Sequence, residues 1–473
     1  MFIKRIYRLV DICLRLTLII VVLGFFYSMK TGGSSDWKNF VMIILGILGT
    51  GIGVTFFFKP EIRLRFLMVL FFSYITLFAV NSFLGTSFQK TEKRVKGAKK
   101  AGIDFDFRSL LEVYDDLKKS ETDVVPILLP HNIFRNNPEG LRVSLSAESK
   151  NNILPLGGIS KSNTLFCNET GRYTFYSSDR YGFNNDDTAY NQRLNTLIIG
   201  DSFVQGACVP SGKDIAGSLR KMGRNAIGIA MGGNGPLLEL ASLKEYGPHL
   251  KPKSVVWVIC EVNDYLELLA EKASPLLMKY LQENFSQGLI AKQDIIDHTL
   301  KVYLSDLVNP FTSMYSPSFF GNVLIKMKET LTLFRLRETF GFTRYLYHID
   351  SYKKSEVGPV NAKQTRLLKL IFRSALETTS KWGGKFYVIF LPSYNKLAVK
   401  NYSNNQEALA IFEELDIPVI DISTIFSKSK NPLTYFHYSQ PSHYTGEGYR
   451  EIAKNIDQYL ANFYRGTTSI RNE

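Results

Sequence analysis

The chain has 473 residues, which exceeds the roughly 250 to 300 residues at which one hydrophobic core stops growing, so we expect more than one domain. Hydrophobic residues at 45% and charged residues at 21% exclude a disordered, collagen-like or heptad-repeat chain, and 4 scattered cysteines predict no metal site and no cofactor. The net charge of +14 suits an anionic membrane surface as well as nucleic acid, so the distribution of the charge must decide.

Residues 1–89 are predicted to form a transmembrane region of three helices, at about 9–29, 39–58 and 66–89. The last two are charge-free apolar runs, each long enough to cross a hydrocarbon core of about 30 Å as a helix. The first run reaches spanning length only if Asp11 and Arg15 lie near the lipid boundary. Because no Ala-x-Ala-like site follows it, we interpret this run as an uncleaved span in contact with lipid.

The orientation in the membrane follows from the Lys and Arg residues of the short loops. Seven of them would lie on the same side of the membrane as the N-terminus, and two would lie on the opposite side. This bias predicts a cytoplasmic N-terminus and a large domain outside the cytoplasm. The basic stretch at 90–104 weakens the bias if it is counted fully. We predict that it is a solvated linker near lipid headgroups and not a nucleic-acid site, because no aromatic residues are interleaved with its charges.

From residue 190 onward, short β-branched runs alternate with helical patterns, which indicates an α/β fold with a parallel sheet. The predicted strands and helices follow one another over 190–465. The strands are Asn195–Ile199, Ser254–Cys260, Lys385–Leu391 and Pro418–Ile422, and the helices include Asp214–Met222, Leu237–Tyr246, Gln364–Lys381 and Gln406–Leu415. A helical insertion is predicted at about 275–360, and residues 105–189 form an accessory or edge region whose fold the pattern does not assign.

A Gly-Asp-Ser sequence at residues 200–202 ends the first of these strands. A serine at this point is exposed at the carboxyl edge of a parallel sheet. The N-terminus of the following helix supplies backbone N–H groups that can stabilise an oxyanion. The alternative is that Asp201 and Ser202 merely cap a helix.

Three further motifs follow in a fixed order: a Gly-rich turn at 232–236, a Glu-Val-Asn-Asp sequence at 261–264 after the next predicted strand, and a Ser-His sequence at 442–443. With these motifs the chain resembles the SGNH (GDSL) hydrolase superfamily over residues 180–462, and in particular a membrane-linked bacterial branch of it. The resemblance implies a three-layer parallel sheet of the SGNH or flavodoxin-like type.

The resemblance assigns a role to each motif. Ser202 would be the nucleophile and His443 the base that takes its proton. The oxyanion hole would consist of the N–H groups of Ser202 and Gly233 and the side chain of Asn263, with Gly232 as the alternative to Gly233. These residue types suit the chemistry, since a serine hydroxyl needs a base and the oxyanion needs convergent donors.

One position departs from the family pattern. The family has an aspartate three residues before the histidine, where this chain has Gln440. A glutamine cannot stabilise an imidazolium by charge, and loss of the aspartate in serine proteases costs about 10⁴ in rate. Three outcomes stay open: a Ser-His dyad, a carboxylate recruited from elsewhere such as Asp421 or Glu447, or a site that binds without turnover.

We therefore expect a membrane-anchored serine esterase or O-acyltransferase. Its expected substrate is an acyl ester of a cell-envelope polysaccharide or lipid. Its expected location is the bacterial inner (cytoplasmic) membrane, as a multi-pass protein whose catalytic domain is periplasmic. The alternative is a non-catalytic tethered module that binds glycan or a partner in envelope assembly, which Gln440 favours. Three cysteines in the predicted outer domain allow at most one internal disulfide, and the sequence does not say whether it forms.

Overall fold

The computed structural model describes residues 2–30, 46, 49–83, 88–144, 150–260, 264–308, 362–400 and 406–469. They fall into two compact units that divide between Gln89 and Lys90. In the first unit, α1 is Phe2–Lys30 and α2 is Pro60–Phe83, and residues 49–55 are also helical. One stretch of the described chain, Pro60–Val80, is long and apolar enough to cross a membrane, judged by length and composition alone.

One such stretch is fewer than the three spans that the sequence predicts. Residues 31–45 and 47–48, which include much of the second predicted span, lie outside the described residues. Helix α2 begins at Pro60, earlier than the predicted residue 66, and the charge of Arg63 near its start is partnered. Arg63 lies 2.6 Å from Asp11 of α1 and also donates to the carbonyl of Phe56.

The basic stretch predicted as a solvated linker is mostly helical in the structure. Helix α3 runs from Phe88 to Lys100, and Ala98 is completely buried. Lys, Arg, Gln and Glu are good helix formers, which explains the helix. The helix ends at Lys100, and Gly102, whose φ of +70° lies in the left-handed region, follows two residues later.

The predicted accessory region, residues 105–189, consists of short elements in the structure, the last of which extends to Asn191. Its elements are α4 (Leu110–Lys119), β1 (Val125–Pro126), α5 (Pro130–Asn136), β2 (Leu141–Ser144), β3 (Lys150–Ile153), β4 (Asn163–Leu165), β5 (Phe175–Ser177) and a 3₁₀ turn, Asp187–Asn191. Strand β4 pairs in parallel with β1 and antiparallel with β5, and β2 and β3 form an antiparallel pair. The strands are short, which explains why no periodic pattern marks them.

A five-stranded parallel sheet forms the centre of the second unit. Its strands are β6 (Thr196–Gly200), β7 (Ala226–Ala230), β8 (Ser254–Cys260), β9 (Lys385–Leu391) and β10 (Val419–Asp421). Their order is β7-β6-β8-β9-β10, which is the 2-1-3-4-5 order of flavodoxin-like sheets. The α/β class is thus confirmed. The sequence missed β7, whose Ala-Ile-Gly-Ile-Ala run has weak strand propensity.

Helices cover both faces of this sheet. They are α6 (Ser202–Gln205), α7 (Ile215–Lys221), α8 (Pro236–Leu250), α9 (Asp264–Glu271), α10 (Pro275–Lys279), α11 (Gln293–Val308), α12 (Ala362–Ser380), α13 (Tyr394–Ala398), α14 (Gln406–Glu414), α15 (Ile422–Phe426) and α16 (Gly446–Ser469). The face with Val256 and Ile389 packs on α7 and α16. Successive side chains of a strand point to opposite faces of the sheet, so Trp257 lies on the other face and packs against Phe372 of α12.

Of the predicted insertion at 275–360, the structure describes residues 275–308, which carry α10, α11 and a 3₁₀ turn at Leu289–Lys292. The remainder lies outside the described residues. The strand order reverses between β6 and β8, and ligands of open α/β sheets bind at the carboxyl end of such a reversal. Ser202 directly follows β6 there.

Candidate active site

Ser202 begins a single helical turn directly after β6. The side chain of Asp201 accepts a 2.9 Å hydrogen bond from the Phe203 N–H, and Gly206, at φ +76°, ends the turn. Asp201 therefore does cap α6, but the serine is half-buried and its hydroxyl is engaged elsewhere. Because α6 has only four residues, individual N–H groups and not a long helix dipole supply the positive charge here.

His443 approaches Ser202 from a distant part of the chain. Its Nε2 atom lies 2.8 Å from the Ser202 Oγ, across 241 residues of sequence. The imidazole packs on the Phe203 ring at a centroid distance of 4.9 Å, and the neighbouring Tyr444 is completely buried. The histidine is thus fixed in the position that a general base for Ser202 requires.

Glu169 of the accessory region supplies a carboxylate to the far side of this histidine. Its Oε2 atom lies 3.2 Å from Nδ1 of His443 and accepts a 2.8 Å hydrogen bond from the His443 backbone N–H. The backbone bond is the better directed of the two, because Nδ1 meets no ideal hydrogen-bond geometry. The carboxylate is therefore anchored to the histidine's own backbone while its charge faces the ring.

The surroundings of Glu169 keep it ionised. Burial raises its pKa, but the hydrogen bond and charge of His443, together with the Arg94 charge, outweigh burial and lower the pKa of Glu169 to about 2. Only 12% of the Glu169 side chain is exposed, so solvent screens this charge weakly. An imidazolium formed at His443 during proton transfer would meet a full negative charge.

Among the described residues, none of the three orienting residues proposed from the sequence forms a hydrogen bond with the imidazole. The Asp421 side chain accepts from the Ser423 N–H and caps α15, and Glu447 pairs with Arg450 on the exposed side of α16. Within the described chain, no contact joins the Gln440 side chain to the histidine. The structure does not bring these three residues to the ring; the carboxylate beside it is Glu169, which comes from elsewhere in the chain but was not among the named candidates.

Two backbone donors of the predicted oxyanion hole are free among the residues the structure describes. The N–H groups of Ser202 and Gly233 have no protein acceptor there. The Gly232 N–H, in contrast, donates to Oε1 of Gln205 at 2.7 Å, which removes it as the alternative donor. Asn263, the third predicted member, lies outside the described residues.

His131 supports the glycine turn and was missed by the sequence analysis. Its Nδ1 atom lies 2.9 Å from the carbonyl oxygen of Gly232, and burial lowers the pKa of His131. Gly233 has a φ of +73°, and a Cβ there would lie 2.6 Å from Cε1 of His131. Glycine is therefore required at 233 by both backbone conformation and space.

A disulfide joins the two segments that carry Glu169 and Ser202. Cys167 and Cys208 are bonded, with Cα atoms 5.4 Å apart. The ligand atoms of Glu169, Cys208 and His443 lie within 4.8 Å of one another. Because the Cys208 sulfur is in a disulfide, it is no thiolate ligand, and this cluster is best described as a His-Glu pair beside a cystine.

No protein-family model matches the chain, and no curated protein matches it. The function is therefore inferred from the geometry of the site itself.

Proposed function

We propose that the protein is a serine esterase or O-acyltransferase of the SGNH type that forms an acyl-enzyme at Ser202. The observation that carries the proposal is the 2.8 Å contact between Ser202 Oγ and His443 Nε2. A carboxylate behind the ring supports it, as do the N–H groups of Ser202 and Gly233, which meet no acceptor among the residues that the structure describes. Nucleophile, base and oxyanion donors are the three parts that acyl transfer needs.

In the proposed reaction, Ser202 Oγ attacks the carbonyl carbon of an ester while Nε2 of His443 takes the hydroxyl proton. Glu169 stabilises the imidazolium, and the N–H groups of Ser202 and Gly233 stabilise the oxyanion, with Asn263 as a third donor. His443 then protonates the leaving alcohol as the C–O bond breaks, which leaves an acyl-serine. Water or an acceptor hydroxyl, deprotonated by His443, attacks this acyl group and regenerates Ser202.

We further propose that the enzyme is anchored in the bacterial inner membrane and acts outside the cytoplasm, on an envelope glycan or lipid ester. The apolar stretch Pro60–Val80 supports anchoring, because it is 0% buried and exposes side chains such as Phe71 and Phe72. The disulfide supports the compartment, since cystines persist in the periplasm and are rare in the cytosol.

Fluorophosphonate labelling of the full chain in detergent tests this proposal. We expect covalent capture that maps to Ser202 and is lost in Ser202→Ala. Ser211→Ala is the matched control, because Ser211 lies on the same connection but is exposed. Absence of labelling in the folded wild-type chain would contradict the proposal.

The alternative function, a non-catalytic tethered module, depended on the missing aspartate at Gln440. Because Glu169 presents a carboxylate to the same imidazole, that argument loses its force. A chain in which Ser202→Ala abolishes labelling but leaves every cellular phenotype unchanged would restore it.

A further inference from the structure

One face of α3 contacts both segments that build the proposed His-Glu pair. Nη2 of Arg94 donates to Oε1 of Glu169 at 3.0 Å and to the carbonyl oxygen of Pro441 at 3.0 Å. Pro441 is two residues before His443. A single side-chain nitrogen therefore joins the Glu169 segment to the histidine loop.

The backbone near Arg94 also lies close to the loop that carries His443 and to the turn that carries Glu169. At Gly97 a Cβ atom would lie 2.7 Å from Cβ of Tyr438, so the helix and the histidine loop touch there. The Tyr438 hydroxyl donates to the carbonyl of Thr170 at 2.6 Å. The Asp106 N–H donates to the carbonyl of Gly171 at 2.8 Å. Helix α3, the turn at 168–171 and the loop at 437–441 thus form one junction.

The two oxygens of Glu169 divide their tasks at this junction. Oε2 faces His443, and Oε1 faces Arg94. An isolated glutamate side chain has several rotamers, whereas two opposed contacts select one of them. Without the Arg94 contact, the bond from the His443 backbone N–H is the one remaining hydrogen bond among the described residues that opposes rotation of the carboxylate away from the ring.

We infer that Arg94 is a positioning residue that holds the Glu169 carboxylate against His443. The inference builds on the proposed function, and it extends the site to a helix that the sequence assigned to a linker. Arg94 acts through Glu169 and touches no reacting atom.

A purely electrostatic role for Arg94 predicts the opposite pH effect from a positioning role. If Glu169 stays in place when the cation is removed, the imidazole protonates more readily, and the acid limb of the rate profile moves to higher pH. If Glu169 leaves the ring, the imidazolium loses its stabilisation, and the acid limb moves to lower pH. The sign of the shift therefore separates the two roles.

Two other ionisable groups near this cluster are present whether Arg94 acts electrostatically or by positioning Glu169. His437 interacts with Glu169, His443 and Arg94, and Tyr449 interacts with Glu169. Burial lowers the pKa of His437 and raises the pKa of Tyr449 well above its usual range. Both groups are thus uncharged over the neutral range and do not reverse the predicted sign.

The experiment compares wild type, Arg94→Gln, Arg94→Lys and Glu169→Gln as full chains in detergent, with p-nitrophenyl acetate as the ester. We expect Arg94→Gln to lower kcat/KM about 10- to 100-fold, the range of one charge-assisted hydrogen bond, and to move the acid limb toward lower pH as Glu169→Gln does. Arg94→Lys restores most of the rate, because an ammonium can donate to both acceptors. Lys99→Gln, an exposed change on the same helix, is the control and leaves both readouts unchanged.

A second readout keeps the inference testable if the chain hydrolyses no ester. Carbethoxylation of His443 by diethyl pyrocarbonate, followed by peptide mass spectrometry, reports the pH at which the ring becomes nucleophilic. We expect this pH to fall in Arg94→Gln and in Glu169→Gln alike. A rise in Arg94→Gln, or no change while Glu169→Gln shifts, overturns the positioning role. Failure of the proposed function appears separately, as wild type and Ser202→Ala with equal rates.

Discussion

Replacing Glu169 by glutamine tests the carboxylate that the structure adds to the serine and the histidine. Glutamine keeps the size of the side chain and removes its charge. At 3.2 Å from Nδ1, a unit charge stabilises an imidazolium by about 5 kcal/mol at an effective dielectric constant of about 20. Arg94 offsets part of this, so we expect the barrier to rise by about 3 to 5 kcal/mol, a loss of about 10² to 10⁴ in kcat/KM.

The assay is hydrolysis of p-nitrophenyl acetate by the purified full chain from about pH 5 to about pH 9. The pKa of Glu169 is lowered to about 2, so the carboxylate stays ionised over this range and its own titration does not distort the profile. Glu169→Gln should lower the plateau and move the acid limb to lower pH, because the ring protonates less readily beside a neutral amide. Glu169→Asp, which keeps the charge on a shorter stem, should fall between the two.

The matched control is Glu447→Gln, since Glu447 was a candidate from sequence but pairs with Arg450 at 57% exposure. It should leave the rate and the profile unchanged. A rate for Glu169→Gln within about threefold of wild type would refute the reasoning, because the charge would then contribute less than about 1 kcal/mol.

Three further predictions concern the surroundings of the site. Cys208→Ser should lower the free energy of unfolding by up to about 4 kcal/mol, the chain-entropy value for a sequence separation of 41, and should lower the esterase rate. Cys260→Ser, at a buried cysteine outside the disulfide, should not reproduce the rate loss. Gly233→Ala should lower kcat about 10²- to 10³-fold by displacing an oxyanion donor, and Gly232→Ala, where an added Cβ meets only ordinary contacts at 3.5 Å or more, should cost far less. Burial lowers the pKa of His131, so the stability that the neutral ring contributes is present above its ordinary pKa of 6.5 and is lost as the pH falls below that value. The melting temperature should therefore drop less between about pH 7.5 and about pH 5 in His131→Gln than in the wild type.

The serine was predictable because its position follows from a simple rule of parallel sheets, whereas the histidine was assigned through the resemblance to the SGNH pattern. A Gly-Asp-Ser sequence at the end of a buried strand must lie at the carboxyl edge, and the neighbouring parallel strand β8 ends at the same edge with Cys260. Strand β7 was not predicted, yet the glycine turn after it was, because the turn is marked by composition whereas the strand contains two alanines and a glycine. Residue chemistry thus identified the edge without a complete sheet.

Glu169 was not predictable in the same way, because nothing local distinguishes one carboxylate among 43 acidic residues. It belongs to a turn between short strands, where neither period-2 nor period-3.6 patterns place a side chain. One signal did point to it. Cys167 is two residues before Glu169, and Cys208 is six residues after Ser202, so a bond between these cysteines brings the carboxylate to the connection that follows the nucleophile.

The position three residues before the histidine carries Gln440, yet the imidazole still faces a negative charge, that of Glu169. A carboxylate three residues before the histidine is held by the histidine loop itself, whereas Glu169 comes from a separate segment and must be held by other bonds. The structure provides three of them: the Cys167–Cys208 disulfide, the Arg94 contact and the backbone N–H of His443. Each of these bonds fixes the segment at a different point. Glu169, which is distant from His443 in the sequence, therefore takes the place beside the ring that the sequence pattern assigns to a residue three positions before the histidine. Recruitment from a distance therefore requires these supporting contacts, and loss of either the disulfide or Arg94 should weaken catalysis through Glu169 alone.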